Sequence, residues 1–264
     1  MRKNVKKQLA LRVLSTAALV AMVSSIATAA FADTYDLNKG SVDILAEGGK
    51  QYITQWEDKD KDTCVKDGKG KEIRDREDSD ITLTTKDETT GETKPTSNTV
   101  TITAENKGDT ANVTLDNVFI NREKASGDQA ALTVKGDGDT NIELNGNNTL
   151  SSTGGHAGLE KTDAECAGTL TITDDKNNNR SDKRKDEDGY STGGDTGTLD
   201  VIGGGEGGAG IGGQGTNNYW DSSSDPGAQN IHSTSNITIT GGSIRAGKTP
   251  TGCDRDYHWA TGAG

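Results

Sequence analysis

Asn141-Ile142-Glu143-Leu144-Asn145-Gly146-Asn147-Asn148-Thr149-Leu150 is the stretch on which the fold turns. Ile142 and Leu144 alternate with polar residues, the period-2 signature of a strand with one buried face. Asn145-Gly146 then supplies residues that tolerate left-handed backbone angles, and Thr149-Leu150 starts another short strand. Asn-Gly is also the strongest hairpin signal. Two facts oppose a hairpin: the second strand is too short, and the unit recurs along the chain.

The recurrence is visible on both sides. Asn112-Val113-Thr114-Leu115 leads through Asp116-Asn117 into Val118-Phe119-Ile120, and Asn236-Ile237-Thr238-Ile239 leads through Gly241-Gly242 into Ser243-Ile244. Related alternating runs are Ile81 to Leu83, Val100 to Ile102, Thr169 to Ile172 and Thr198 to Val201. Between them sits a small-residue corner with one aliphatic side chain: Ala130-Ala131-Leu132, Ala157-Gly158-Leu159 and Ala209-Gly210-Ile211, with Gly262-Ala263-Gly264 opening a fourth. The first alanines are 27, 52 and 54 residues apart, the later steps close to twice the first. Strand, corner, strand, corner at a period in the twenties predicts an all-β fold. The specific expectation is a parallel β-helix (β-solenoid) of short strands, with coils of about 27 residues and long polar loop insertions. A β-sandwich of the same strands is the rival.

Three regions interrupt the pattern. Residues 33–98 read as an N-terminal cap and irregular acidic region, with candidate strands at Val42 to Leu45 and Tyr52 to Thr54. A stack of strands needs a cap, because its first member has an open edge. Asp174 to Thr196 and Tyr219 to Ile231 read as polar surface loops, since loop closure cost grows slowly with length. The repeat domain then covers 99–264 and stops at Gly264 where earlier corners supply an aliphatic residue, which predicts a fragment of a longer protein.

Residues 1–32 read as a cleavable signal peptide. Arg2, Lys3, Lys6, Lys7 and Arg12 form a basic front, Val13 to Ala30 carries no charge, and Ala30-Phe31-Ala32 places small residues at the two positions a signal peptidase inspects. Ser15, Thr16, Ser24, Ser25 and Thr28 disfavour a membrane anchor. The expectation is a secreted or cell-surface protein with no transmembrane segment after cleavage. Removal of five bases and no acids leaves 24 Lys and Arg against 41 Asp and Glu, a net charge of −17. That balance disfavours nucleic acid and anionic lipid as partners. Hydrophobic content of 29% is too low for an ordinary globular core and suits a thin one.

Chemistry is sparse in this sequence. Cys64, Cys166 and Cys253 are widely spaced, with no C-x-x-C pair for structural zinc. One disulfide with one free thiol, or three free thiols, both fit. Asp58-Lys59-Asp60-Lys61-Asp62 has the alternate-acid spacing of a calcium loop, but Thr63 and Lys69 stand where that loop needs Gly and Glu. Asp175-Lys176-Asn177-Asn178-Asn179 fails likewise at Arg180 and Asp186. Solvated charge runs explain both better. Asp137 and Asp139, in a Gly-rich turn, and Asp174 and Asp175 remain the candidate Ca2+ ligands; no other cofactor is expected. His156, His232 and His258 have no Cys or Ser partner at useful spacing, and His156 reads as a corner residue rather than a base. Gly203-Gly204-Gly205-Glu206-Gly207-Gly208 contains a G-x-G-x-x-G spacing without the following helix a dinucleotide site requires. It reads as a tight turn where Cβ atoms of adjacent coils would clash. Tyr190, Tyr219, Trp220, Tyr257 and Trp259 lie in predicted loops and are the candidate carbohydrate-binding residues. Packing of those loops onto the stack is the competing explanation.

The combination Asn141 to Asn148, Gly154 to Leu159, Gly168 to Ile172, Gly208-Ala209-Gly210-Ile211-Gly212-Gly213 and Ile237 to Gly242 resembles secreted Gram-positive bacterial surface proteins. Those proteins carry a carbohydrate-binding domain of pectate-lyase-like β-helix type. The resemblance covers residues 99–264 and implies a surface location and glycan binding, with no catalytic residue to transfer. Pectin hydrolases of similar architecture use clustered Asp, Gly-His and Arg-x-Lys in that order. Here Arg122-Glu123-Lys124, Gly155-His156 and Asp174-Asp175 arrive in reverse, so those roles do not carry over. The expected function is a non-enzymatic, glycan-binding or adhesin-like module, its partner carbohydrate or a host or cell-envelope surface. A polysaccharide lyase or glycoside hydrolase, and a purely structural stalk, are the alternatives.

Overall fold

The computed structural model describes residues 33–123, 125–174, 197–204, 207–215 and 233–247, together with the backbone of two short strands at 184–185 and 191–192. Among these residues the regular elements are strands, apart from one 3-10 turn at Leu37–Lys39 capped by the Asp36 carboxylate. In chain order the strands are β1 (Thr34–Asp36), β2 (Ser41–Glu47), β3 (Lys50–Trp56), β4 (Arg76–Glu77), β5 (Ile81–Thr84), β6 (Val100–Ala104), β7 (Thr110–Asp116), β8 (Phe119–Asn121), β9 (Leu132–Lys135) and β10 (Asp139–Asn145). They continue as β11 (Asn147–Ser151), β12 (Leu159–Glu160), β13 (Leu170–Thr173), β14 (Arg184–Lys185), β15 (Ser191–Thr192), β16 (Thr198–Ile202), β17 (Ile211–Gly212), β18 (Ile237–Ile239) and β19 (Ser243–Ala246). No helix among the described residues is long and apolar enough to cross a membrane.

From β7 onward, apart from the antiparallel pair β14–β15, the chain visits three sheets in rotation. A six-stranded sheet has the order β1-β5-β7-β10-β13-β18, a four-stranded sheet β8-β11-β16-β19, and a seven-stranded sheet β17-β12-β9-β6-β2-β3-β4. Strands from successive visits pair in parallel. β10 and β11, on either side of Asn145-Gly146, lie in different sheets, so this corner is no hairpin. Parallel pairing also excludes the antiparallel sandwich. The corners between the six- and four-stranded sheets use the left-handed backbone the sequence suggests: φ is 54° at Asn117, 62° at Gly146 and 82° at Gly242.

The register corrects the repeat length. Leu132 pairs with Leu159, an offset of 27, but Val113 pairs with Ile142 at 29 and Ile142 with Ile172 at 30. The interval of 52 between corners is a single circuit, because Leu159 pairs directly with Ile211. β11 likewise pairs directly with β16, across residues 174–196.

Like residues stack on like. Ile81, Val113, Ile142 and Ile172 form one inward row, at most 2% exposed. Val42, Val100, Leu132 and Leu159 form another, at most 1% exposed. At the ~4.8 Å strand spacing each side chain touches its counterparts above and below, so a thin core is filled by few apolar residues. Lys161 departs from this rule. Continuing the register past the Glu160–Thr133 pair places it in line with Val134, Ile102 and Ile44. It is 0% exposed, its Nζ donating to the Cys166 carbonyl at 3.0 Å and lying 3.8 Å from Asp163 Oδ1. Cys64 and Cys166 are buried free thiols, and desolvation pushes both above the ordinary thiol range.

Before β7 the chain folds back. β2 pairs antiparallel with β3, and β3 with β4. Gln51 projects from β3 onto β7: its Oε1 accepts from Asn112 N at 2.6 Å and its Nε2 donates to Asn112 O at 3.0 Å. A side-chain amide thereby reproduces the paired bonds of a neighbouring strand and satisfies an edge that β5 does not reach.

Turn aspartates hold the loops of this region. Asp58 accepts from Asp62 N and Thr63 N, Asp67 from Lys69 N and Lys71 N, and Asp87 from Thr89 N and Thr90 N. These backbone amides lower all three carboxyls, Asp87 to about 2. A depressed carboxyl contributes stability above its unfolded value of about 3.9, and that contribution is lost as pH falls through the folded value. The melting temperature is therefore expected to be level down to about pH 4 and to fall between about pH 4 and pH 2. Thermal melts of the wild type and Asp87→Asn check this. The variant should melt a few degrees lower at neutral pH and lose less on acidification.

Candidate functional site

Several residues proposed from sequence fall outside the described residues: Tyr190, Tyr219, Trp220, Tyr257, Trp259, Asp175, and the cleavage-site residues Ala30 and Ala32. The remaining metal candidates sit in two places. Asp137 is exposed on the β9–β10 connection and Asp139 is exposed at the first position of β10, where its Oδ1 accepts from Thr169 N at 2.9 Å. Asp174 is buried at the end of β13, its Oδ2 accepting from Gly197 N at 3.3 Å. Among the described residues no group of three His, Cys, Asp or Glu side chains is gathered for a metal.

His156 is tied on both ring nitrogens. Nδ1 lies 2.9 Å from Glu160 Oε2, and Nε2 lies 3.3 Å from the Gln214 amide nitrogen. With that amide donating to Nε2, Nδ1 carries the proton and donates to Glu160. Glu160 Oε2 also accepts from Ala157 N at 3.1 Å. The glycine-rich run passes against this corner. A Cβ at Gly204 would stand 2.0 Å from the Gly154 carbonyl oxygen, and one at Gly208 2.0 Å from that of His156. Close backbone approach, not phosphate binding, accounts for these glycines.

The outward side of the four-stranded sheet gathers polar groups into rows. Alternation along β16 turns Leu199 and Val201 into the core and leaves Thr198 and Asp200 outside. Register then aligns Asn147, Thr198 and Ser243 in one row, and Phe119, Thr149, Asp200 and Arg245 in the next. Thr198 Oγ1 donates to Asn147 Oδ1 at 3.0 Å. Arg245 forks onto Asp200, with Nε to Oδ1 at 2.6 Å and Nη2 to Oδ2 at 2.5 Å. These bonds to Asp200 raise the Arg245 guanidinium above its ordinary value. The rows border a shallow groove of about 290 Å³, lined by Asn148 and by the outward residues other than Phe119. Arg245 is 77% exposed and Asp200 34%, so the pair is open to a ligand. Amide, hydroxyl, carboxylate and guanidinium groups thus face solvent at strand spacing, with the half-buried Phe119 ring at one end. None of these seven side chains stands out in the sequence, because 51 residues separate Asn147 from Thr198 and 45 separate Thr198 from Ser243. The signal that finds them is outward alternation once the register is known.

Comparison of the chain with protein-family models, with curated proteins and with solved structures finds no match.

Proposed function

We propose that the chain is an exported surface module, built on a parallel β-helix, that holds carbohydrate on the outward face of its four-stranded sheet. The rotation of the strands among three parallel sheets at offsets of 27, 29 and 30 residues supports the β-helix. The basic, apolar and small-residue order of residues 1–32 supports export. The observation that carries the binding assignment is the pair of outward rows, Asn147–Thr198–Ser243 and Phe119–Thr149–Asp200–Arg245. A sugar ring offers hydroxyls that both donate and accept at its rim and a less polar face for an aromatic ring. The rows supply both kinds of partner on a rigid sheet, where little ordering cost attends binding.

A glycan array probed with the full chain and with Asp200→Ala tests the reading. The wild type should bind a discrete set of polysaccharides. Asp200→Ala should bind the same set about tenfold more weakly, a loss of about 1.4 kcal/mol. Its melting temperature should change little, because an exposed ion pair adds about 1 kcal/mol at most. Absence of binding to every polysaccharide, or binding unchanged in the variant, would sink the assignment.

A further inference from the structure

A second cleft, of about 480 Å³, opens between β1, the end of β3 and the turn spanning residues 65–73. Its floor is apolar, formed by Tyr35, Val65 and Ile73, each at most 6% exposed. Its rim is cationic, with Lys39, Lys66, Lys69 and Arg76 against Asp33, Asp36 and Asp67. The acids are already engaged. Asp36 accepts from Asn38 N and Nδ2, each at 2.9 Å. Asp67 accepts from Lys69 N and Lys71 N and pairs with Arg76 at 2.7 Å. Asp33 lies 3.9 Å from the same guanidinium. Lys39, Lys66 and Lys69 make no ion pair among the described residues. The lining thus carries four bases against three acids, a net charge of +1, and its three lysines are the cations left without an ion pair, in a chain whose net charge is −12.

We infer that this cleft binds a sugar bearing a phosphate or sulfate ester, with the ring on the Tyr35–Val65–Ile73 floor and the ester among Lys39, Lys66 and Lys69. Three free ammonium groups and no free guanidinium favour a tetrahedral oxyanion. Lysine binds such an ester as a point charge, and the ester's three terminal oxygens can each meet one ammonium group where a carboxylate offers only two; the Arg76 guanidinium donates to Asp67 through Nη2. The acidity of the rest of the chain does not forbid this. Screening over about 8 Å at physiological ionic strength removes distant acids and leaves lysines in contact with the ester effective. A volume of about 480 Å³ also exceeds what an inorganic ion needs and suits a ring with its substituent.

Calorimetric titration of the full chain with glucose 6-phosphate, glucose 6-sulfate, glucuronate, glucose and inorganic phosphate tests the inference. The two esters should bind, and their relative affinity distinguishes phosphate from sulfate as the natural group. Lys66→Ala/Lys69→Ala should weaken both at least tenfold with an unchanged melting temperature. Asp200→Ala should leave both unchanged, which separates this cleft from the four-stranded face. Any one of four results would overturn it: no ester binds, the lysine variant binds as tightly as wild type, glucuronate or glucose binds as tightly as the esters, or inorganic phosphate alone does.

Discussion

Gly168→Ala is expected to destabilise the protein by about 3 kcal/mol or more, a fall in melting temperature of roughly 6–12 °C for a chain of this size. Gly168 sits directly over Gly138 of the preceding circuit. A Cβ there would lie 1.7 Å from the Gly138 carbonyl oxygen and 2.5 Å from its carbon. Neither atom can swing aside as a side chain would. Gly138 is itself pressed on the circuit before it, its own Cβ position lying 2.5 Å from the Asp109 carbonyl oxygen. Relief therefore means parting two circuits where Thr169 N donates to Asp139 Oδ1 at 2.9 Å and Thr140 N to Thr169 O at 2.8 Å. Gly68→Ala is the matched control. A Cβ at Gly68 meets nothing within 4 Å, and its effect should stay within about 0.5 kcal/mol. Urea unfolding of the three proteins decides it. An equal response of the two variants would show that the glycines of the stack are chosen for something other than close approach.

Much of this architecture is legible in residues. The alternating runs at Val113, Ile142 and Leu170 become β7, β10 and β13, and the left-handed corners fall at Asn117, Gly146 and Gly242. The circuit length is less legible, because corners and strands keep different time. Leu132 to Leu159 takes 27 residues, while Ile120 to Leu150 takes 30. The connection from β8 to β9 runs from Arg122 to Ala131, longer than the Ser152–Gly158 connection from β11 to β12. A repeat length taken from either landmark alone is a local value. The outward face is least legible. Its rows join residues 45 and 51 positions apart, so no fixed period brings Asn147, Thr198 and Ser243 together before the pairing is known. Phe119 is an aromatic on a strand and not in a loop, and only the register sets it beside Thr149. Lys161 shows the same blindness in the core. Composition assigns a lysine to solvent, and only register reveals that it occupies the place of Val134.

Asn148→Ala is expected to cost about 3 kcal/mol, for a reason distinct from packing. Asn148 is 1% exposed and stands in line with Val118 and Leu199, an amide in an otherwise apolar row. Its Oδ1 accepts from Val118 N at 2.9 Å, and its Nδ2 donates to Asn145 O at 3.1 Å and Thr198 O at 3.2 Å. One side chain thus satisfies backbone groups of three successive circuits at the corner where the chain leaves the six-stranded sheet. Alanine leaves the Val118 amide without that acceptor, and a buried unpaired group costs about 1–3 kcal/mol. Asn148→Leu separates this cause from the cavity. It restores bulk between Val118 and Leu199 but none of the bonds, so it should be as destabilising as alanine; recovery with leucine would mean that volume alone is at stake. Asn148→Asp keeps the acceptor, loses both donors and turns a carboxylate toward two carbonyls. It should therefore be the worst of the three at neutral pH and should improve relative to alanine as acid protonates it. Because Asn147 and Thr149 flank Asn148 and face outward, each variant should weaken glycan binding in proportion to its loss of stability. Asp200→Ala, by contrast, should weaken binding with the fold intact. Melting and array binding measured on the same four variants would therefore place Asn148 among the residues that build the face and Asp200 among those that use it.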